Sequence, residues 1–187
     1  LVKEVSLGND GSISMENLKN CINNDLANNF GNLCQRVFTF VKKNCDNKIP
    51  KANKLEAKDE KLLNNLKENV KNLIAAMDKQ NLNEYIKTVV GYSFDANKYF
   101  NDSEPWSVKK KDPERMKSIL FTILEQIKNL SILLNPIIPI ATGKVLTSMN
   151  LSIEDISIKS IINKNVLNHD KELKNLEILF KKIENDN

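Results

Sequence analysis

A chain of 187 residues is long enough to bury a real core and reads most simply as one domain with tails. Charged residues make up 28% of it, and a net charge of +4 with a pI near 8.8 permits nucleic-acid contact without requiring it. Only 5 Gly and 5 Pro interrupt the long Leu/Ile/Lys/Asn/Glu stretches, so an all-α fold is expected. The most apolar run, 119–141, carries Glu125, Gln126, Lys128, Asn129 and two prolines, the pattern of a buried helix and not of a membrane span.

Residues 1–13 read as a short extended lead-in, with Leu1, Val2, Val5 and Leu7 before the turn Asn9-Asp10-Gly11. Ser14 is placed to cap a helix beginning at Met15. From Ile22 the apolar residues recur at 22, 26, 30, 33, 37 and 40/41, one helical stripe that runs to about Asn44 with Asn23-Asn24 as a candidate kink. A second helix is predicted over 56–79 from Leu62, Leu63, Leu66, Val70, Leu73, Ile74 and Met77. A third, over 82–100, carries Leu82, Tyr85, Ile86, Val89, Val90 and Phe94. Gly91 inside it weakens the helix and suggests a close helix crossing. Asp112 and Pro113 give a cap and first-turn signal for a fourth helix over 113–134, and Pro136 and Pro139 lead into a fifth that ends near Asn150. The remainder, 151–187, reads as a short helix, a polar stretch and an apolar hook at Ile178-Leu179-Phe180. The expected architecture is a bundle of about five helices over 14–150 with a C-terminal tail.

Cys21, Cys34 and Cys45 lack Cys-x-x-Cys spacing. On one helix Cys34 and Cys45 would lie about 16 Å apart, too far to bridge, so isolated thiols in a reducing compartment are expected. The single histidine, His169, has no His or Cys neighbour in sequence, and no zinc site is expected. No signal peptide opens the chain.

Two features carry chemistry. Trp106, the only tryptophan, follows Asn101-Asp102-Ser103-Glu104-Pro105, where proline stops one helix and pins the backbone before the indole. A rigid exposed aromatic there suits stacking on a flat ring such as a nucleobase; the competing reading is a plug at the top of a bundle. Asn32 and Arg36, four residues apart, share a helical face roughly 80–120° from the centre of the apolar stripe. Asp25, Thr39 and Lys43 fall on the same flank. A planar guanidinium beside an amide can read the Watson–Crick edges of unpaired bases, although the pattern alone also fits a solvated flank. Lys109-Lys110-Lys111 is either a solvated loop or a phosphate grip beside the indole. Asn28 and Asn29 are candidate supports behind these residues.

The run Asn24-Asp25-Leu26-Ala27-Asn28-Asn29-Phe30-Gly31-Asn32-Leu33-Cys34-Gln35-Arg36-Val37, with Ala96-Asn97-Lys98-Tyr99 and Glu104-Pro105-Trp106, closely resembles the C-terminal anticodon-binding domain of methionyl-tRNA synthetases. Glu4-Val5-Ser6-Leu7-Gly8-Asn9-Asp10-Gly11 is similar to the segment leaving that family's catalytic domain. Ile178-Leu179-Phe180-Lys181-Lys182-Ile183-Glu184 is similar to the C-terminus of its short bacterial form, so the resemblance covers essentially the whole chain. The catalytic signatures His-Ile-Gly-His and Lys-Met-Ser-Lys-Ser occur nowhere in the sequence, as in an excised domain.

The resemblance implies that Trp106 stacks on an anticodon base, that Asn32 and Arg36 hydrogen-bond to anticodon edges, and that Pro105 shapes the turn. It implies recognition of the CAU anticodon of tRNA(Met), within a cytoplasmic enzyme that attaches methionine to that tRNA using ATP. ATP and Mg, with Zn an open alternative, would belong to the missing catalytic part, and no cofactor or catalytic residue to this chain. The implied domains are an exit segment at 1–13, the anticodon-binding domain at 14–150 and a tail at 151–187 that packs back on the bundle or on the catalytic domain. The implied partners are the tRNA(Met) anticodon stem-loop and the chain's own N-terminal catalytic domain. No membrane is expected, and a monomer is, since the family's appended dimerisation domain is absent. Two rivals remain. One is the anticodon domain of a Val, Ile, Leu or Cys enzyme, disfavoured by the joint spacing of Asn32, Arg36 and Pro105-Trp106. The other is a helical protein-interaction module, which would show no salt-dependent binding to an anticodon stem-loop.

Overall fold

A computed structural model describes residues 3–5, 14–152, 157–162 and 167–184 of the chain. The first helix, α1 (Met15–Cys21), begins where Ser14 Oγ accepts the Asn17 N–H at 3.0 Å. It passes without leaving helical backbone into a π-helical stretch (Ile22–Gly31) and then α2 (Asn32–Asn44). The expected kink at Asn23-Asn24 is thus a wider turn with i→i+5 hydrogen bonding. Its consequence is a correction: Asp25, expected on the solvent flank with Asn32, is buried and pairs with Lys3. A residue separated from α2 by a π-helical turn does not keep the 100° step from which its position was read.

The next helices are α3 (Ala57–Asp78), α4 (Leu82–Ser103), α5 (Pro105–Val108), α6 (Pro113–Leu134), α7 (Pro139–Ser148) and α8 (Ile158–Ile162). Asp112 caps α6 as expected, its Oδ1 accepting the Arg115 N–H at 2.8 Å. Among the described residues there is no strand, only an isolated antiparallel bridge between Lys48 and Glu172. The all-α expectation holds. The short helix expected in the tail is α8, and α5 supplements the expected set. Of the lead-in, only Lys3–Val5 is described; the predicted turn at Asn9-Asp10-Gly11 lies outside the described residues.

Helix α6 is the axis of the bundle. It packs on α2, α3, α4, α5, α7 and α8 and is buried nearly all round, polar residues included, as a central helix is. Ile119, Leu120, Ile123, Leu124, Ile127 and Leu130 are wholly shielded from solvent. Its hydroxyls bond back to the helix itself, Thr122 to the Ser118 carbonyl at 2.9 Å and Ser131 to that of Ile127 at 2.7 Å, so they are buried without loss of partners. No helix among the described residues is long and apolar enough to cross a membrane.

The described part of the tail returns along the bundle. Ile49 N–H donates to the Lys171 carbonyl at 2.9 Å, Leu173 N–H to Asn47 at 2.7 Å and Lys174 N–H to Ser148 at 2.9 Å, while Leu167, Leu173 and Leu176 join the core. Farther on, the Asn23 amide forms a two-way pair with the backbone of Ile183, donating at 3.0 Å and accepting at 2.9 Å.

Two glycines have opposite meanings. A Cβ on Gly31 would stand 3.0 Å from both the Leu26 carbonyl and Phe180, so Gly31 is what lets the tail's Phe180 lie against the π-helical stretch. Gly91→Ala meets nothing within 4 Å, so the close crossing expected there is absent. Gly91→Ala should raise stability by roughly 0.5–1 kcal/mol through helix propensity. Gly31→Ala should lower it by about 1–3 kcal/mol through overpacking. Paired thermal melts check both signs.

Candidate nucleic-acid interface

The turn that presents the indole begins at Glu104, whose backbone is left-handed at φ 40° and ψ 56°. A non-glycine residue there, directly before a proline, is held by its surroundings at a cost. The Ser107 and Val108 N–H groups both donate to its carbonyl, at 2.8 and 3.0 Å, and Pro105 opens α5 as its first residue. Trp106 is therefore fixed on a one-turn helix wedged between α4 and α6.

Beneath this corner lies a charged lock. Asp59 of α3 is fully buried and accepts a fork from Arg115 of α6 (Nη1 to Oδ2, and Nη2 to Oδ1 at 2.8 Å), the Tyr99 hydroxyl of α4 at 2.6 Å and the Glu56 N–H at 2.8 Å. Arg115 Nε also lies 3.0 Å from Glu56 Oε1. Burial pushes the Asp59 carboxyl up. The bonds from Arg115, Tyr99 and the Glu56 amide outweigh that and hold it below the usual carboxylate range. Burial and then the Asp59 carboxylate push the Tyr99 hydroxyl up. These residues join α3, α4 and α6, and no local periodicity announces them.

The indole meets Phe100 edge to face, with ring centroids 5.9 Å apart and planes at 80°, and Phe100 meets Phe40 in the same manner at 6.4 Å and 81°. Phe100 is core; Trp106 remains 38% exposed. The Arg36 guanidinium lies over the Phe100 ring at 5.2 Å and donates to Asn101 Oδ1 at 2.7 Å. Arg36 and Trp106 are thus brought, from distant parts of the sequence, to one open groove of about 380 Å³ that Gln35, Thr39, Phe40, Lys43 and Phe100 complete. Its floor is aromatic and its rim cationic. Thr39 and Lys43 were readable from the helical flank, and Phe40 from the edge of the stripe. Phe100 and Asn101, which orient the guanidinium, required the packing of α4 on α2.

Asn32 does not share that groove. It is exposed, its side-chain amide has no hydrogen-bond partner among the described residues, and it faces a neighbouring groove of about 400 Å³ between α2 and the tail. Gln35 borders both grooves. Asn29 is buried, its Oδ1 accepting from Asn97 at 2.7 Å and from Ser93 at 3.2 Å, so it ties the π-helical stretch to α4 and is withdrawn from any ligand; Asn28 is exposed. In the lysine run, Lys109 lies 5.7 Å over the Phe40 ring and donates to Asn44 at 3.0 Å, while Lys110 and Lys111 are exposed. Cys21, Cys34 and Cys45 are free thiols, and burial pushes that of Cys34 far up. His169 packs on Phe121, centroids 5.6 Å apart; no cluster of His, Cys, Asp and Glu among the described residues could hold a metal.

A family model for the anticodon-binding domain of methionyl-tRNA ligase matches residues 49–187. The chain belongs to that family. Methionine–tRNA ligases are similar along it: that of Rickettsia felis is 32% identical over all of this chain and 37% of its own length, and that of Rhizobium meliloti 35% identical over 78% of this chain and 28% of its own. Among solved structures, apo methionyl-tRNA synthetase of Mycobacterium tuberculosis superposes with a TM-score of 0.91 at 27% identity, over 99% of this chain and 38% of that one. The same enzyme in complex with methionyl-adenylate gives 0.89 at 29% identity, over 96% and 36%. The chain therefore spans a little over a third of the length of such relatives. The family model spans Pro105, Trp106 and Lys109–Lys111, while Asn32 and Arg36 precede it and fall within the stretch aligned to the Rickettsia enzyme.

Proposed function

We propose that this domain reads the CAU anticodon of tRNA(Met), with Trp106 stacking on one unpaired base and Arg36 and Asn32 hydrogen-bonding to base edges. The observation that carries this reading is the convergence of an accessible indole and an oriented guanidinium on one groove, underlain by Phe100. Stacking supplies affinity with little sequence preference, and a guanidinium fork with an unpartnered amide supplies discrimination. Pro105 sets the angle of the indole. Lys110 and Lys111 face solvent beside it, where phosphates of the loop would be neutralised.

In this reading the domain serves a cytoplasmic, monomeric enzyme whose catalytic domain, attached to the same chain, uses ATP and Mg to activate methionine and transfer it to the tRNA; any Zn belongs there too. The chain by itself should then catalyse no methionine-dependent pyrophosphate exchange, and exchange by the purified 187-residue chain would place catalytic machinery within it. The test of recognition is a titration with a CAU anticodon hairpin beside a GAU control at several salt concentrations. Preference for CAU, weakening as salt rises, is the expected result. Equal affinity for the two hairpins would remove the specificity, and no binding to either would favour a protein-docking role.

A further inference from the structure

We propose that the tail segment 178–182 forms part of the RNA-reading surface, making with Asn32 a pocket for a second unpaired base next to the one on Trp106; this rests on the anticodon reading above. The groove that contains Asn32 is walled on one side by Asn28 and Gly31 and on the other by Ile178, Phe180 and Lys182. The tail is held there by specific bonds. The Gln35 amide donates to the carbonyls of Leu176 at 3.1 Å and Glu177 at 2.7 Å, Asn23 pairs with the Ile183 backbone, and Phe180 fills the space that Gly31 leaves open.

Gln35 is also the shared wall between this groove and the one with Arg36 and Trp106. A strand that lays one base on the indole therefore has the next pocket one helical turn along α2, where Asn32 sits four residues before Arg36. The chemistry fits a nucleotide. Ile178, 68% exposed, offers an apolar wall for a base, Asn32 an amide with free donors and acceptor, and Lys182 an exposed cation for a phosphate. The nearby carboxylate, Glu177, is drawn away to Lys144 of α7 at 3.1 Å.

The test uses the 187-residue chain, a CAU hairpin, and hairpins made abasic at each anticodon position in turn. Ile178→Asp should weaken the intact hairpin about tenfold, within the range of one lost base contact, and leave one of the abasic hairpins nearly unaffected. Lys182→Ala should lower the slope of log affinity against log salt by about 0.7, one phosphate contact on a single strand. Both side chains are exposed, so thermal melts should match the parent chain. If Trp106→Ala weakens binding while Ile178→Asp and Lys182→Ala bind as the parent does, the tail is no part of the reader and its groove is left to a protein contact. An equal Ile178→Asp loss on every abasic hairpin also overturns the pocket. Failure of the parent chain to bind any hairpin overturns the anticodon reading itself, and this inference with it.

Discussion

Asp59→Asn should cost the fold about 3–5 kcal/mol, the range for stripping one partner from a buried ion pair. The asparagine amide cannot accept both arms of the Arg115 fork, the Tyr99 hydroxyl and the Glu56 N–H, so a largely buried guanidinium is left short of charge. Replacing the group together, as Asp59→Leu, Tyr99→Phe and Arg115→Met, should cost much less, because no uncompensated charge then remains. Urea melts of the single and triple variants decide this, and a single variant as stable as the parent would show that the lock contributes little.

The same carboxylate sets an acid limit. Its folded pKa lies below its ordinary value of 3.8, so the stability it contributes is fully present above that value and is lost as pH falls through the lower, folded one. At the alkaline end the sign reverses. Burial pushes Tyr85 up to about 12 and also raises Tyr99, so their contribution is present below the ordinary 10.0 and fades as pH climbs towards the folded values. Asp59→Asn should flatten the acid limb of a stability-against-pH curve below pH 3.8; a limb as steep as the parent's would assign it to other carboxylates.

Trp106→Ala should weaken binding of a CAU hairpin by ~1–3 kcal/mol through lost stacking. Its effect on the fold should be much smaller than the ~3–5 kcal/mol of a buried aromatic, because the indole is partly exposed and its ring contact, with Phe100, is worth about 0.5–1.5 kcal/mol. Phe100→Ala should do the reverse, collapsing the melting point and disordering both Trp106 and Arg36. Arg36→Ala removes one hydrogen bond and one cation–ring contact, so the fold should stand while discrimination between CAU and altered anticodons falls. Thermal melts beside binding curves separate these outcomes. A collapsed melting point with unchanged binding for Trp106→Ala would make the indole core filler, and equal losses on every anticodon for Arg36→Ala would make it a phosphate contact.

Much of the fold was legible because its signals are local. Ser14 and the Asp112-Pro113 pair mark helix starts through side chains that satisfy the first free N–H groups or do without one, and the density of Ile and Leu through 119–134 announces a buried helix. The bend before Trp106 follows from the covalent ring of Pro105, and the shared flank of Arg36, Thr39 and Lys43 follows from helical period alone. What the sequence by itself determined is therefore the helices, their order and the residue types offered at the α4–α6 corner and on α2. Tertiary structure decided which of those residues meet. The π-helical stretch shifts the angular register before Asn32 and turns Asp25 inward. The Asp59–Tyr99–Arg115 lock joins three helices across long sequence separations, and the open space beside Gly91 depends on neighbours that helical period cannot specify. The tail beside Asn32 is placed by Gln35 and by the missing side chain of Gly31, contacts that acquire meaning only once α2 and the C-terminal segment lie side by side.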